Sequence, residues 1–378
     1  MNNVKSVIAF ALAMGFVSIA VAQQSIKSEK QDTEFFYAQL NLNGGFLLDQ
    51  PGFRFSEQSP FSNLSLTYRR KSQSLLQKGY TKFLEISDFK ANVGIVYRNI
   101  YDENGVNTPQ WDLQLRDLWV KFNTKWDRTS ITIGHFAVPY GHTPRIDPDN
   151  AFVSSLASKD LGFSRDLGIM VKTPLSEKWD LEASLTTGGL LAQPLVSIHL
   201  ATPDNELTQT TFTTPTYTYN NNWLASVRVG TPTYKKNEFG VFVLAGNVLD
   251  DATTGASNRI VRVGGDWTYK FKEKLKVMNQ LVTGYTVTDE NTRGYTAIQQ
   301  TEVEYFVAKQ LILSAANNFQ YNTYTGQREF KGQTSVGVSY AINPHTRLKL
   351  NAYLDHDYTN NARQPGVYLQ FTTGLGTR

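Results

Sequence analysis

Residues 118–141 read LWVKFNTKWDRTSITIGHFAVPYG, and residues 142–168 continue HTPRIDPDNAFVSSLASKDLGFSRDLG. The first part is a hairpin pattern: Leu118, Val120 and Phe122, then Ile131 and Ile133, put apolar side chains at every second position around a polar turn at 123–128. The second part, 141–164, carries charge without strand periodicity, and Arg165 and Asp166 lead straight into the next strand. A short turn at one end of a strand pair and a long charged connection at the other is the asymmetry of a membrane-spanning barrel.

Outward from this stretch the asymmetry repeats. Short turns fall at 174–179, 232–237, 271–274, 309–310 and 343–345. Longer polar connections fall at 101–110, 190–222, 249–258, 323–330 and 357–365. Greek-key sandwiches have no reason to keep such a rhythm, whereas an up-and-down barrel produces it. The strands between alternate cleanly. Leu348, Leu350, Ala352 and Leu354 share one face, opposite Arg347, Lys349, Asn351, Tyr353 and Asp355. Val263, Gly265, Trp267 and Tyr269 lie opposite Arg262, Asp266, Thr268 and Lys270.

Counting back from a last strand at 366–373 gives an all-β, antiparallel transmembrane barrel of about sixteen strands, at roughly ten residues per crossing, with eighteen as the alternative. The ambiguity sits at 71–89, where the parity breaks. A second shift, from Leu113 and Leu115 to Leu118 and Val120, reads as a bulge at Arg116 and Asp117.

Composition agrees with strands that are wet on one side. Aromatic residues make up 12% of the chain, yet mean hydropathy is −0.35, as expected when only alternate residues face lipid. Residues 1–22 read as a cleavable secretory signal: Lys5, an apolar run from Val7 to Val21, then the small-residue triplet Ala20-Val21-Ala22. Residues 23–378 then form one barrel domain exported to the outer membrane, in contact with its lipid. The chain has no Cys, which excludes disulfides, thiolate metal sites and haem attachment through cysteine. The formal charge of +4 loses one with Lys5 and gives no sign of nucleic acid.

The segment LRDLWVKF, then ITIGHFAVPYG, then RDLGI resembles the phosphate-selective porin O/P family of Gram-negative outer-membrane channels. The matched positions are Asp117, Leu118 and Val120; Gly134, Phe136, Pro139, Tyr140 and Gly141; and Arg165 and Gly168. The resemblance implies a sixteen-stranded channel, usually trimeric, whose third long loop folds into the lumen and whose basic side chains draw anions such as phosphate through. Two departures stand out: Ala137 occupies a position where the family pattern has Lys, and Phe371 is followed by TTGLGTR rather than ending the chain.

The 141–164 connection carries an apolar set, Phe152, Val153 and Leu156, that a solvated loop does not need, so it reads as an inward-folded constriction. Lys121, Arg145 and Arg165, in or beside it, are the expected anion-selectivity residues. Strand parity and the bulge add Arg69, Arg98, Arg116, Lys172, Arg228, Arg262, Arg347 and Lys349 as lumen-lining cations, against Glu182, Asp266, Glu302, Glu304 and Asp355. For any one of these the competing role is a cross-strand ion pair that stiffens the wall.

The sequence gives no reason to expect a cofactor or metal. Asp147, Asp149 and Asn150 do not have the spacing of a calcium loop. The five His residues fall in no HExxH pattern and no GxSxG elbow is present; His356, between Asp355 and Asp357, is the one position where a dispersed catalytic His could sit, and no enzyme activity is expected. The expected function is a passive diffusion channel for small anions. The alternative is a barrel acting as scaffold or sheath for a partner protein, such as an electron-conduit cytochrome or a surface complex, which would not conduct by itself.

Overall fold

The computed structural model describes residues 32–48, 54–55, 62–72, 84–101, 107–124, 128–141, 160–189, 196–201, 209–213, 221–232, 237–251, 256–288, 291–324 and 327–376. The signal at 1–22, the core of the long connection at 142–159 with Arg145, Asp147, Asp149 and Asn150, and most of the ambiguous stretch 71–89 lie outside them. The strands, in chain order, are β1 (Asp32–Leu47), β2 (Arg54–Phe55), β3 (Ser62–Ser72), β4 (Leu84–Tyr101), β5 (Asn107–Thr124), β6 (Ser130–Ala137), β7 (Arg165–Pro174), β8 (Asp180–Thr186), β9 (Val196–Ala201), β10 (Gln209–Thr213), β11 (Trp223–Gly230), β12 (Glu238–Asp251), β13 (Ala256–Phe271), β14 (Leu275–Val287), β15 (Arg293–Phe306), β16 (Leu311–Tyr324), β17 (Gln327–Asn343), β18 (Thr346–Asp357) and β19 (Ala362–Gly376).

Sixteen of these close a ring. Each pairs antiparallel with its neighbours in the order β1, β3 to β8, β11 to β19, and the seam joins β1 to β19 from Tyr37↔Gly376 to Leu47↔Gly366. The two-residue β2 lies on the edge of β1. The hairpin β9–β10 belongs to the long connection 187–222: β9 pairs with β5 from Gln110↔His199 to Leu113↔Val196, just beyond the point where the β5 pairing to β6 stops at Leu118↔His135. Strands β6, β7 and β8 are short, so this hairpin continues the wall above them.

The parity shift in β5 is a bulge: Asn92 faces Asp117 and Val93 faces Leu115, which leaves Arg116 as the extra residue. Gly134, in β6 beside it, has φ +129°, and a Cβ there would sit 2.1 Å from the Leu118 carbonyl oxygen; only glycine fits. The Phe271–Lys274 turn sets Lys272 and Glu273 both at positive φ, matching the twist of a tight hairpin.

Three connections expected to be long are short. β12 and β13 are separated by 252–255, β16 and β17 by 325–326, and β18 and β19 by 358–361. The strands run on beyond the length needed to cross a bilayer, and there both faces meet water, so the apolar alternation that marks a strand in sequence fades.

The two faces of the wall differ as a membrane requires. On β13, Val261, Val263, Trp267 and Tyr269 are 41–55% exposed while Arg262 and Asp266 between them are buried. The same holds on β12 (Val241, Val243) and β18 (Leu348, Leu350). So continuous an apolar belt has no place in water. None of the described helices is long and apolar enough to cross a membrane; the crossing is made by strands.

Candidate pore lining and the inward connection

The inward face carries an ion-pair ladder along the β3–β8 arc. Arg69 on β3 grips Asp88 on β4 with Nε and Nη2, at 3.0 and 2.5 Å. Lys90 on β4 reaches Asp117 on β5 at 2.7 Å, and Arg165, opening β7, donates to the other Asp117 oxygen at 3.3 Å. Arg98 pairs with Asp112 at 2.8 Å, and Lys172 on β7 with Glu182 at 2.7 Å and Asp180 at 3.5 Å. The Arg116 side chain lies over Gly94, where a Cβ would be 2.6 Å from its Nε. Lys121 stands opposite Asp88 in the β4–β5 register. Among the described residues, neither Arg116 nor Lys121 has a carboxylate within ion-pairing distance.

On the opposite arc, Arg228 on β11 stretches across β12 to Asp266 on β13, bonding both carboxylate oxygens at 2.9 and 2.6 Å. The crossing runs over Gly240, where a Cβ would lie 2.3 Å from Arg228 Nη2. Lys276 on β14 pairs with Glu304 on β15 at 3.1 Å. Arg347 and Lys349 share the inward register of β18, and Lys349 is buried. Arg69, Arg98, Lys121, Lys172, Arg228, Arg262, Arg347 and Lys349 therefore all project to the inward side, many of them in ion pairs. Lys90 and Lys276 are inward cations that strand parity had not picked out. For Lys90 the reason is a second irregularity, between Ile86 and Asp88, that shifts the face of β4 just before it.

The described ends of the 138–164 connection pack on inward-facing residues. Val138, Tyr140, Leu161 and Phe163 form one buried cluster with Leu224, Phe242, Leu244, Val248, Ile260, Val282 and Ile298 from β11 to β15. The Tyr140 and Phe242 rings meet edge to face at 5.1 Å. Asp160 sits at the centre, receiving Arg262 Nε at 2.8 Å, Arg262 Nη2 at 3.0 Å and the Tyr140 hydroxyl at 2.5 Å. Arg262 completes its bonding on the Tyr285 carbonyl oxygen at 2.6 Å and Thr286 Oγ1 at 2.9 Å. A guanidinium this buried is tolerable only with such a full set of acceptors. The sequence had offered Arg262 as a lumen cation; here its charge is taken up by the connection.

Near the rim opposite the short turns, a recess of about 580 Å³ is lined by Asn318, Gln320, Lys331, Gln333, Asp355 and Asp357 among others. Gln333 Nε2 donates to Asp355 Oδ1 at 2.8 Å. His356 stacks on Tyr358, with ring centroids 5.1 Å apart. Among the described residues no three His, Asp or Glu side chains converge as a metal site would need.

No family model matches the chain, and no curated protein does. Solved structures do match. OprB of Pseudomonas putida, in its high-pH structure, shares 11% identity over 91% of this chain and 94% of its own, with a TM-score of 0.61. The chain is an outer-membrane β-barrel. An anion-selective porin of Comamonas acidovorans matches this barrel at 10% identity over 91% of the chain and 99% of its own, TM-score 0.57. OmpT of Vibrio cholerae, folded in vitro and solved in a trimer form, matches at 11% over 92% and 100%, TM-score 0.57. These are outer-membrane porins and proteins of Gram-negative bacteria, and at such identities the likeness is one of fold.

Proposed function

We propose that the protein is a passive diffusion channel of the Gram-negative outer membrane that favours small anions such as phosphate. Residues 1–22 are its cleaved signal, 23–378 its barrel, and the 141–164 connection its constriction. Lys121, Arg145 and Arg165 set the preference. The observation that carries the reading is the pair Arg116 and Lys121 on β5: among the described residues, neither has a carboxylate within ion-pairing distance. Cations with fixed positions beside a narrowed, poorly screened passage raise the local anion concentration. The docking of both ends of the connection on the β11–β15 wall supports the constriction. Asp147, Asp160 and Asp166, close in sequence, make the preference moderate rather than strict.

The test is the zero-current potential of the purified protein in a planar bilayer under a salt gradient. The wild type should favour anions, and Lys121→Glu and Arg165→Glu should each move the potential toward cations, more at 0.01 M than at 0.1 M salt, where the Debye length falls from about 30 to about 10 Å. A wild-type channel that favours cations would refute the assignment. A barrel that never conducts would instead favour a sheath around a partner protein.

A further inference from the structure

The outward face of β13 to β19 carries formal charge at one rim only. Strand by strand, its positions are apolar, aromatic, Gly, Thr, Asn, Gln or His, with no Asp, Glu or Lys. The exceptions are four arginines. Arg259 on β13, Arg293 on β15, Arg328 on β17 and Arg363 on β19 each fall within the first four residues of a strand that starts at the rim of the long connections. Each shares the face of exposed apolar or aromatic residues: Arg259 with Val261, Arg293 with Tyr305, Arg328 with Val336 and Arg363 with Leu369. All four are exposed, and among the described residues none has a carboxylate within ion-pairing distance. Arg259 Nη2 donates to Asn291 Oδ1 at 3.1 Å, a neutral amide that leaves the charge uncompensated.

Below the arginines, two runs of rings cross the wall. Tyr285, Tyr295 and Tyr321 meet at centroid distances of 5.6 and 6.4 Å on β14 to β16. Phe319, Phe330, Tyr358 and His356 continue at 5.8, 4.7 and 5.1 Å on β16 to β18, and His356 is the register partner of Arg363. Tyr295 follows Arg293, and Phe330 follows Arg328, two residues along the strand, which is about 7 Å, or about 5 Å of height at a 45° tilt. Aromatic rings at the edge of the apolar belt mark the membrane–water interface, so the guanidinium groups stand at the level of the lipid headgroups.

We infer that the outward face of β13 to β19 binds a phosphorylated saccharide lipid of the outer leaflet, its phosphates on the arginines and its acyl chains on the rings and the apolar positions beneath. Charge selects an anion: four uncompensated guanidinium groups sum their fields, and each planar fork matches two phosphate oxygens at once. The face then selects a lipid. These side chains project away from the lumen, above rings that acyl chains can cover and a free anion cannot. Spacing selects the headgroup. Arg259 and Arg293 flank Val287 in a single register row, about 10 Å apart across two strands. One phosphodiester reaches one of them, whereas a saccharide with a phosphate at each end reaches both. The inference rests on the long connections facing the cell exterior and is independent of conduction and ion preference.

The test is a titration of the barrel, extracted from outer membranes in mild detergent and freed of lipid, with diphosphoryl lipid A, read by native mass spectrometry. The wild type should bind it. Arg259→Gln, Arg293→Gln, Arg328→Gln and Arg363→Gln together should weaken binding at least about tenfold, since each basic residue near an anionic surface strengthens attraction several-fold. Removing as many charges at the other rim, with Lys270→Gln, Lys272→Gln, Lys274→Gln and Lys309→Gln, should leave it unchanged. Lys at the four arginine positions keeps the charge without the fork and should recover part of the affinity. The pair Arg259→Gln with Arg293→Gln should already weaken binding several-fold, which keeps the test decisive if the fourfold variant fails to fold. Equal affinity of the wild type and the arginine variants, an equal loss in the lysine variant, equal binding of dephosphorylated lipid A or phosphatidylglycerol, or full displacement by inorganic phosphate would each overturn the inference. So would whole-cell labelling of Asn343→Cys in place of Asn205→Cys, which would set these arginines at the inner leaflet.

Discussion

Replacing Asp160 tests how the 138–164 connection is held. Its carboxylate and the Arg262 guanidinium are 2% and 3% exposed, so Asp160→Ala leaves a buried positive charge without its acid. Breaking such a pair from one side costs about 3–5 kcal/mol. Burial of Val138, Tyr140, Leu161 and Phe163 opposes release: at about 1.5–3 kcal/mol per large apolar side chain, an upper bound, it holds the ends with roughly 6–12 kcal/mol. The pair therefore weakens the docking without ending it. Asp160→Ala should lower the thermal midpoint and make single-channel records noisy while the mean conductance stays near the wild-type level. Adding Phe163→Ala, about 3–5 kcal/mol more, should bring the two sides level and raise the conductance as the connection leaves the wall. Arg262→Met with Asp160→Leu removes both charges and should recover most of the lost stability. Single-channel recording and thermal unfolding of the wild type, Asp160→Leu, Arg262→Met and the double variant close the cycle. An Asp160→Ala channel with unchanged noise and midpoint, or no coupling between positions 160 and 262, would refute the idea that the pair latches the connection.

Gly240→Ala should be strongly destabilising, by about 3–5 kcal/mol, because its methyl group would displace the Arg228 guanidinium from the buried Asp266; thermal unfolding of the refolded barrel measures it. The long connections should face the cell exterior: with single Cys substitutions, an impermeant thiol reagent on whole cells should label Asn205→Cys and spare Asn343→Cys, and mass spectrometry should find the mature chain starting near Gln23. At the outer tip of β18, Asp357 is held below the usual carboxylate range by the Asn360 side chain at 2.8 Å and by the backbone N–H groups of Asn360 and Thr359. A depressed acid stabilises its turn above the unfolded value near 3.9, and that support is lost as pH falls through the folded value. Amide exchange at Thr359 and Asn360 should therefore show less protection, after correction for intrinsic rates, below about pH 4, and Asp357→Asn should remove the pH dependence.

The barrel was legible because lipid on one side and water on the other write a period of two into each strand. Residues such as Val261, Val263, Trp267 and Tyr269 spell it out, and even the Arg116 bulge left its mark as a shift of parity. Legibility failed where that contrast fades. QREF at 327–330 belongs to β17 but meets water on both faces, so it read as loop. Within the pore, parity gives direction but not partners. Arg228 and Asp266 lie on next-but-one strands and meet only because Gly240 lets the side chain pass. Asp160 and Arg262 are brought together by a connection whose path no period encodes.

The seam between β1 and β19 sets an order on assembly. Neighbouring strands such as β13 and β14 find each other across a few residues, but Tyr37 and Gly376 meet across roughly 340. Relative to a ten-residue hairpin, closing that span from a free coil costs about 3 kcal/mol more, at about 0.6 kcal/mol per doubling of length. Zipping the hairpins first removes most of this penalty, so the ring shuts last. Until it does, the growing sheet has two raw edges, each a template for pairing with another chain. The barrel is thus most prone to aggregate at the stage just before closure, and partners that shield β1 and β19 at that moment would do more for its yield than any gain in the stability of the finished ring.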